Sequence, residues 1–206
     1  MAINEKIHAI IWDLGGVILR TEDLSYREKW EKMFDLETWG LADLVFGSEI
    51  SKLASLGKAS VNDIWSVIQE ELGLNNEEMK QLEVDFFAGD CIDEKLLTFI
   101  RQLKTSYKIG MITNAWPDTR HSLEEKWKIA DAFDHIVISA EVGLIKPNPE
   151  IYTLSLQGLN VKPNEAIFID DFKANIEGAR AVGIHAIHFQ DSAKVILELK
   201  EILQMT

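Results

Sequence analysis

Four short apolar runs in this sequence each lead into a reactive side chain. Ala9-Ile10-Ile11-Trp12 runs into Asp13 and the turn Leu14-Gly15-Gly16-Val17, and Ile109-Gly110-Met111-Ile112 runs into Thr113-Asn114. His135–Ile138 is followed by Ser139 and then by Gly143-Leu144-Ile145-Lys146-Pro147, and Ile167-Phe168-Ile169 runs into Asp170-Asp171. A single aspartate after a strand is ordinarily a turn residue or a helix cap. A carboxylate, a hydroxyl, a lysine and a carboxylate pair at four successive strand ends are not explained by turn chemistry. They meet the needs of group transfer. A carboxylate at a glycine-rich turn can attack an electrophilic centre and carry a covalent intermediate. Three carboxylates that converge stay ionised only with a cation among them, which points to Mg²⁺ held by oxygen ligands. A lysine and a hydroxyl beside the nucleophile would hold the anionic oxygens of a transferring phosphoryl group.

For these residues to meet, the runs before them must be neighbouring strands. His8–Trp12, Lys108–Ile112, His135–Ile138, Ala166–Ile169 and His185–His188 read as short buried strands. From about Tyr107 onward they alternate with helical stretches: Glu150–Leu159, Ala174–Val182, and a last one through Val195, Ile196, Leu199, Ile202 and Leu203. Such alternation implies parallel strands joined by helical crossovers, with function at the strands' carboxyl ends. Asp23 to Ala88 reads instead as helices with no clear strand. Ser60-x-x-Asp63 resembles a capping box ahead of Ile64, Trp65, Ile68 and Leu72, and Asn75–Phe87 is a further helix. Asp93–Lys104 then returns the chain to the sheet. The expected fold class is α/β: a parallel-sheet core carrying a helical insertion.

Composition narrows the function. The 206 residues carry 21 Lys and Arg against 34 Asp and Glu, a net charge of −13. No basic footprint for nucleic acid or a membrane surface is present, so the expected partner is a small phosphorylated molecule. An acidic protein handling a phosphate needs local positive charge, which Lys146 and a metal ion would supply. No apolar run reaches the roughly 18–20 residues of a membrane span. Met1 to Ile11, with Asn4, Glu5, Lys6 and His8, lacks a signal-peptide layout. The single cysteine, Cys91, excludes an internal disulfide, and a reduced, cytoplasmic setting is the default expectation. Cys91 has no histidine partner in view, and the histidines show no metal-ligand spacing.

The segments Ile10–Leu19 (IIWDLGGVIL), Met111–Asn114 (MITN), Gly143–Tyr152 (GLIKPNPEIY) and Ile167–Gly183 (IFIDDFKANIEGARAVG) together resemble the haloacid dehalogenase superfamily of hydrolases, in that family's order. The resemblance implies a Rossmann-like core at residues 1–19 and 88–206, beginning near Ile3, and an inserted α-helical cap at residues 20–87. It also implies roles by position. Asp13 matches the nucleophile, Thr113 the hydroxyl that binds the transferring group, and Lys146 the lysine that steadies nucleophile and intermediate. Asp13, Asp170, Asp171 and the Gly15 backbone carbonyl match the Mg²⁺ site, with Asp171 the direct ligand of the acidic pair. Asn114, Gly16 and Trp116 are candidates for contact with substrate, Trp116 as part of the site wall. Asn175 stands where many members carry a further acid and is expected to hydrogen-bond instead. The Asp-Asp-Phe segment also resembles the phosphatase-like domain fused to epoxide hydrolases.

One position departs from the family pattern. Its phosphatases usually carry a second aspartate two residues after the nucleophile, which protonates the leaving alkoxide and then activates water; here that position is Gly15. Loss of a positioned acid or base typically costs about 10²–10⁴ in rate. The leading expectation is a Mg²⁺-dependent phosphatase of a small metabolite, sugar phosphates included, working through an aspartyl-phosphate. A 2-haloacid dehalogenase needs no acid there, because halide leaves unprotonated, but it has no use for the acidic pair. A catalytically weak binding protein is the third reading. Arg27, Lys29 and Lys32 in the helical region are the cations that would reach a substrate if they face the site.

Overall fold

The computed structural model describes residues 6–205; Ile3, Asn4, Glu5 and Thr206 lie outside the described residues. In chain order the elements are β1 (Ala9–Trp12), β2 (Leu19–Thr21), α1 (Ser25–Met33), α2 (Gly40–Gly47), α3 (Glu49–Ser55), α4 (Val61–Leu72), α5 (Asn76–Ala88) and β3 (Asp90–Ile92). They continue with α6 (Glu94–Leu103), β4 (Lys108–Thr113), the single turn α7 (Thr119–His121), β5 (His135–Ile138) and α8 (Ser139–Val142). The last five are α9 (Pro149–Leu159), β6 (Ala166–Asp170), α10 (Lys173–Ala181), β7 (His185–His188) and α11 (Ser192–Ile202). Five strands make one parallel sheet in the order β5-β4-β1-β6-β7, which puts β1 at the centre.

The sheet is apolar on both faces, as parallel sheets covered by helices are. Along β1, Ile10 and Trp12 join the cluster with Leu96, Ile100 and Leu199 of α6 and α11, while Ala9 and Ile11 join Ile151, Tyr152 and Ile176 of α9 and α10. The period of two sends alternate side chains to opposite helix layers. Helix ends follow their caps. Asn148 accepts from Glu150 N ahead of Pro149, and Asp191 accepts from Lys194 N to start α11. Among the described residues, no helix is long and apolar enough to cross a membrane.

Helices α1–α5 build a separate apolar cluster around Trp30, Leu41, Ile64, Trp65, Leu82 and Phe86. The Ser60/Asp63 capping box forms in both directions and Gly73 closes α4 at φ 65°. The insertion joins the sheet through a two-stranded antiparallel ribbon, Leu19 opposite Ile92 and Thr21 opposite Asp90. These three-residue strands had no signature in the sequence, since three residues are too few to show alternation. Polar contacts fix the ribbon on both sides. Asp90 Oδ1 accepts from Thr21 Oγ1 at 2.6 Å and from Arg27 Nη2 at 3.0 Å, while Arg20 Nη2 donates to Asp93 Oδ2 at 2.9 Å.

Candidate active site

Strand register brings the reactive residues together. Trp12 is level with Met111 on one side and Ile169 on the other, so Asp13 leaves the sheet level with Asp170 and one residue from Thr113. Lys146 comes from the loop after α8, and its ammonium lies between two carboxylates: Nζ is 2.8 Å from Asp13 Oδ1 and 2.7 Å from Asp170 Oδ2, and it donates to the Ile112 carbonyl at 3.0 Å. The side chain is 1% exposed. A buried ammonium is stable only with such partners. The Leu14 N–H also donates to Asp13 Oδ1, at 2.7 Å, and fixes the carboxylate's orientation.

Asp170 is fully engaged. Asn175 Nδ2 lies 3.0 Å from each of its oxygens, the Phe172 N–H donates to Oδ1 at 2.8 Å, and Lys146 holds Oδ2. A carboxylate offers about four acceptor positions, and these four bonds occupy them. Asn175 therefore does what its sequence position suggested. Tyr152, which the sequence did not single out, donates its hydroxyl to the Asn175 carbonyl at 2.8 Å from within α9. His188 Nε2 lies 2.8 Å from the Asp171 carbonyl oxygen, a contact created by the β6–β7 pairing.

Asp13, Asp170 and Asp171 each place an oxygen within 4.8 Å of the others. Burial, with repulsion from Asp170, pushes the Asp13 carboxyl up to about 7 despite Lys146. Burial and Asp170 raise Asp171 as well. Three carboxylates against one ammonium leave a surplus of negative charge that a divalent cation would balance, and hard carboxylate oxygens suit Mg²⁺. The turn after Asp13 is shaped to fit. Gly16 has φ 76°, and a Cβ there would lie 2.1 Å from Asp171 Oδ2. Gly15 is different: its backbone is in an ordinary region and a Cβ would meet nothing within 4 Å.

The loop after β4 is tied on both sides. Asn114 Nδ2 donates to the Lys146 carbonyl at 3.1 Å and its Oδ1 accepts from Lys146 N at 2.7 Å, while Ser139 Oγ bonds both the N–H and the carbonyl of Ala115. Thr113 is buried at the strand's end. Trp116, in the same loop, turns into the helical insertion. It is 8% exposed, and its Nε1 donates to Ser51 Oγ at 3.0 Å. The three cations whose facing, toward the site or toward solvent, the sequence left open are all engaged within the chain. Arg27 donates to Phe86 O and Asp90, Lys29 pairs with Asp85, and Lys32 pairs with Glu28 on the surface.

A family model described as haloacid dehalogenase-like hydrolase matches residues 10–189. Among curated proteins, a sesquiterpene phosphatase of Aspergillus oryzae is 28% identical over 198 residues, covering 95% of this chain and 96% of that protein. Bifunctional epoxide hydrolase 2 of Mus musculus is 36% identical over 132 residues, a match covering 62% of this chain and only 24% of that protein. A HAD family enzyme of Bacteroides thetaiotaomicron, solved with magnesium and inorganic phosphate, has the same fold at TM-score 0.74 and 21% identity, covering 92% of this chain and 98% of that one.

Proposed function

This chain belongs to the haloacid dehalogenase-like hydrolases, and from that premise we propose that it is a Mg²⁺-dependent phosphatase of a small phosphate monoester. The observation that carries the reading is Lys146, held between Asp13 and Asp170 beside the end of β4. In this reading the Asp13 carboxylate attacks phosphorus, the bond to the leaving oxygen breaks, and the phosphoryl group rests on Asp13. Water then attacks phosphorus, releasing orthophosphate and restoring the carboxylate. Thr113 holds the non-bridging oxygens, Lys146 offsets their charge, and Asn114, bonded to both the N–H and the carbonyl of Lys146, keeps that lysine in place. Asp13, Asp171 and the Gly15 carbonyl would hold the metal, while Asp170 serves as the counter-charge of Lys146. Mg²⁺, when bound, supplies positive charge to the transferring oxygens. The cap, residues 20–87 in this reading, meets the loop after β4 through the bond from Trp116 Nε1 to Ser51 Oγ. The sesquiterpene phosphatase and the magnesium- and phosphate-bound relative support the reaction class.

With no carboxyl group at Gly15, the leaving oxygen departs largely unprotonated. The expected substrates are those with weakly basic leaving groups, such as aryl phosphates or sugar 1-phosphates, over simple alkyl phosphates. The test is a panel of phosphate esters and 2-haloacids with and without Mg²⁺. The expected result is Mg²⁺-dependent phosphate release with a steep fall of log(kcat/KM) as leaving-group pKa rises. Halide release from a 2-haloacid would instead establish the dehalogenase, and Mg²⁺ binding with no turnover of any ester would establish a binding protein.

A further inference from the structure

We propose that the leaving-group side of the site is built for an apolar aromatic ring, so that the preferred substrates are aryl phosphate monoesters. The proposal rests on the phosphatase reading and narrows it to one class of leaving group. β1 carries Asp13 between β4 and β6, and aromatic side chains follow the reactive residues on both neighbours. Phe172 comes directly after Asp171 at the end of β6 and is 63% exposed. Across β1, the loop after β4 carries Trp116, whose ring centroid lies 5.5 Å from Phe46 and 6.2 Å from Phe87. Phe46, on α2, is 50% exposed although it also packs on Phe86 at 5.2 Å. Phe87 lies in the last turn of α5, immediately before the ribbon that springs from the Asp13 turn. Phe46, Phe87 and Trp116 therefore mark the seam between the helices and the carboxyl edge of the sheet. β4 and β6 are the two neighbours of β1, so these aromatic residues follow the strands on either side of the one that carries Asp13.

Exposed aromatic rings leave apolar area in water, and burying that area against a ligand is favourable. Arg27, Lys29 and Lys32 are all engaged within the chain, so none of these three cations is free for a polyol, and Lys126 Nζ lies 6.0 Å from the Phe87 ring. Gly15 adds an independent constraint. As the Asp13–phosphorus bond forms and the phosphorus–oxygen bond breaks, the electron pair leaves on the phenolate oxygen. The ring delocalises that charge, and the oxygen takes its proton from water. An aryl group thus satisfies both the apolar borders and the missing acid.

The test compares kcat/KM for phenyl phosphate and 2-naphthyl phosphate, whose leaving groups are of similar basicity, with Mg²⁺ present and acetyl phosphate as the control for phosphoryl transfer itself. Burial of the second ring should favour the naphthyl ester by about tenfold. Phe46→Ala and Phe172→Ala should each lower that ratio at least about threefold; Phe172 lies on an exposed core loop, so its variant keeps the test decisive if the Phe46 variant does not fold. A wild-type ratio near one with acetyl phosphate still cleaved, or a ratio unchanged in both variants, would overturn the aromatic site and leave the phosphatase standing. Inertness toward acetyl phosphate as well would overturn both.

Discussion

At Gly16 an added Cβ would lie 2.1 Å from Asp171 Oδ2 on a backbone of φ 76°, whereas at Gly15, one residue earlier, it would meet open space. The geometry of the acidic cluster requires a glycine at position 16 and leaves position 15 free. Gly16→Ala should displace the Asp171 carboxylate and lower kcat/KM by about 10²-fold, the typical cost of moving a reacting group by an ångström. Its readout is Mg²⁺-dependent phosphate release. Gly15→Asp places a carboxyl group where this family's phosphatases usually carry one, and its Cβ meets nothing within 4 Å. It should raise kcat/KM for alkyl phosphates by up to about 10²-fold while changing aryl phosphates little, and so flatten the leaving-group slope. An unchanged slope would show that another residue already delivers the proton. Residue types at the ends of apolar runs made Asp13, Thr113, Lys146, Asp170 and Asp171 legible in the sequence. The difference between the two glycines was not, because it depends on where Asp171 sits in space. Nor was the bond from Trp116 to Ser51, which joins residues far apart in the chain.

Helices α4 and α5 were legible one by one, α4 from its capping box and periodicity, whereas α1–α3 were legible only as part of a helical region, and the ribbon β2–β3 was not legible at all. Short strands of this kind are set by tertiary contacts, here the convergence of Thr21, Arg27 and Asp90. A second polar cluster holds α1 to α5. Asp85 accepts from Lys29 Nζ at 2.5 Å, Trp30 Nε1 at 3.0 Å and Gln81 Nε2 at 3.1 Å. Burial alone would raise this carboxyl, but the three donors outweigh it and hold it below its usual range. A depressed carboxyl stabilises the fold above its unfolded pKa and loses that contribution as pH falls through the folded one. Asp85→Asn should therefore cost about 1–2 kcal/mol at pH 7, and the gap from wild type should narrow progressively as pH falls below about 4. Urea melts at both pH values measure it; a gap independent of pH would mean that the carboxylate's charge has no part in holding the helices together.

For the whole molecule, the alternation of strand and helix after Tyr107 was enough to anticipate a parallel sheet with its chemistry at the carboxyl ends. The order β5-β4-β1-β6-β7 then explains why residues spread from Asp13 to Asp171 share one place. The same arrangement gives the reaction its expected kinetic form. The acid missing at Gly15 is also the base that would activate water in the second step. With a weakly basic leaving group the first step proceeds without help, and the second becomes slow. The most direct test is rapid mixing of enzyme, Mg²⁺ and p-nitrophenyl phosphate, with acid quench and mass analysis of the peptide that carries Asp13. A burst of nitrophenolate near one equivalent per site and one phosphoryl group on Asp13 are expected, both absent in Asp13→Asn. Steady turnover with no burst and no phosphoryl group on Asp13, or the same turnover by Asp13→Asn, would contradict it.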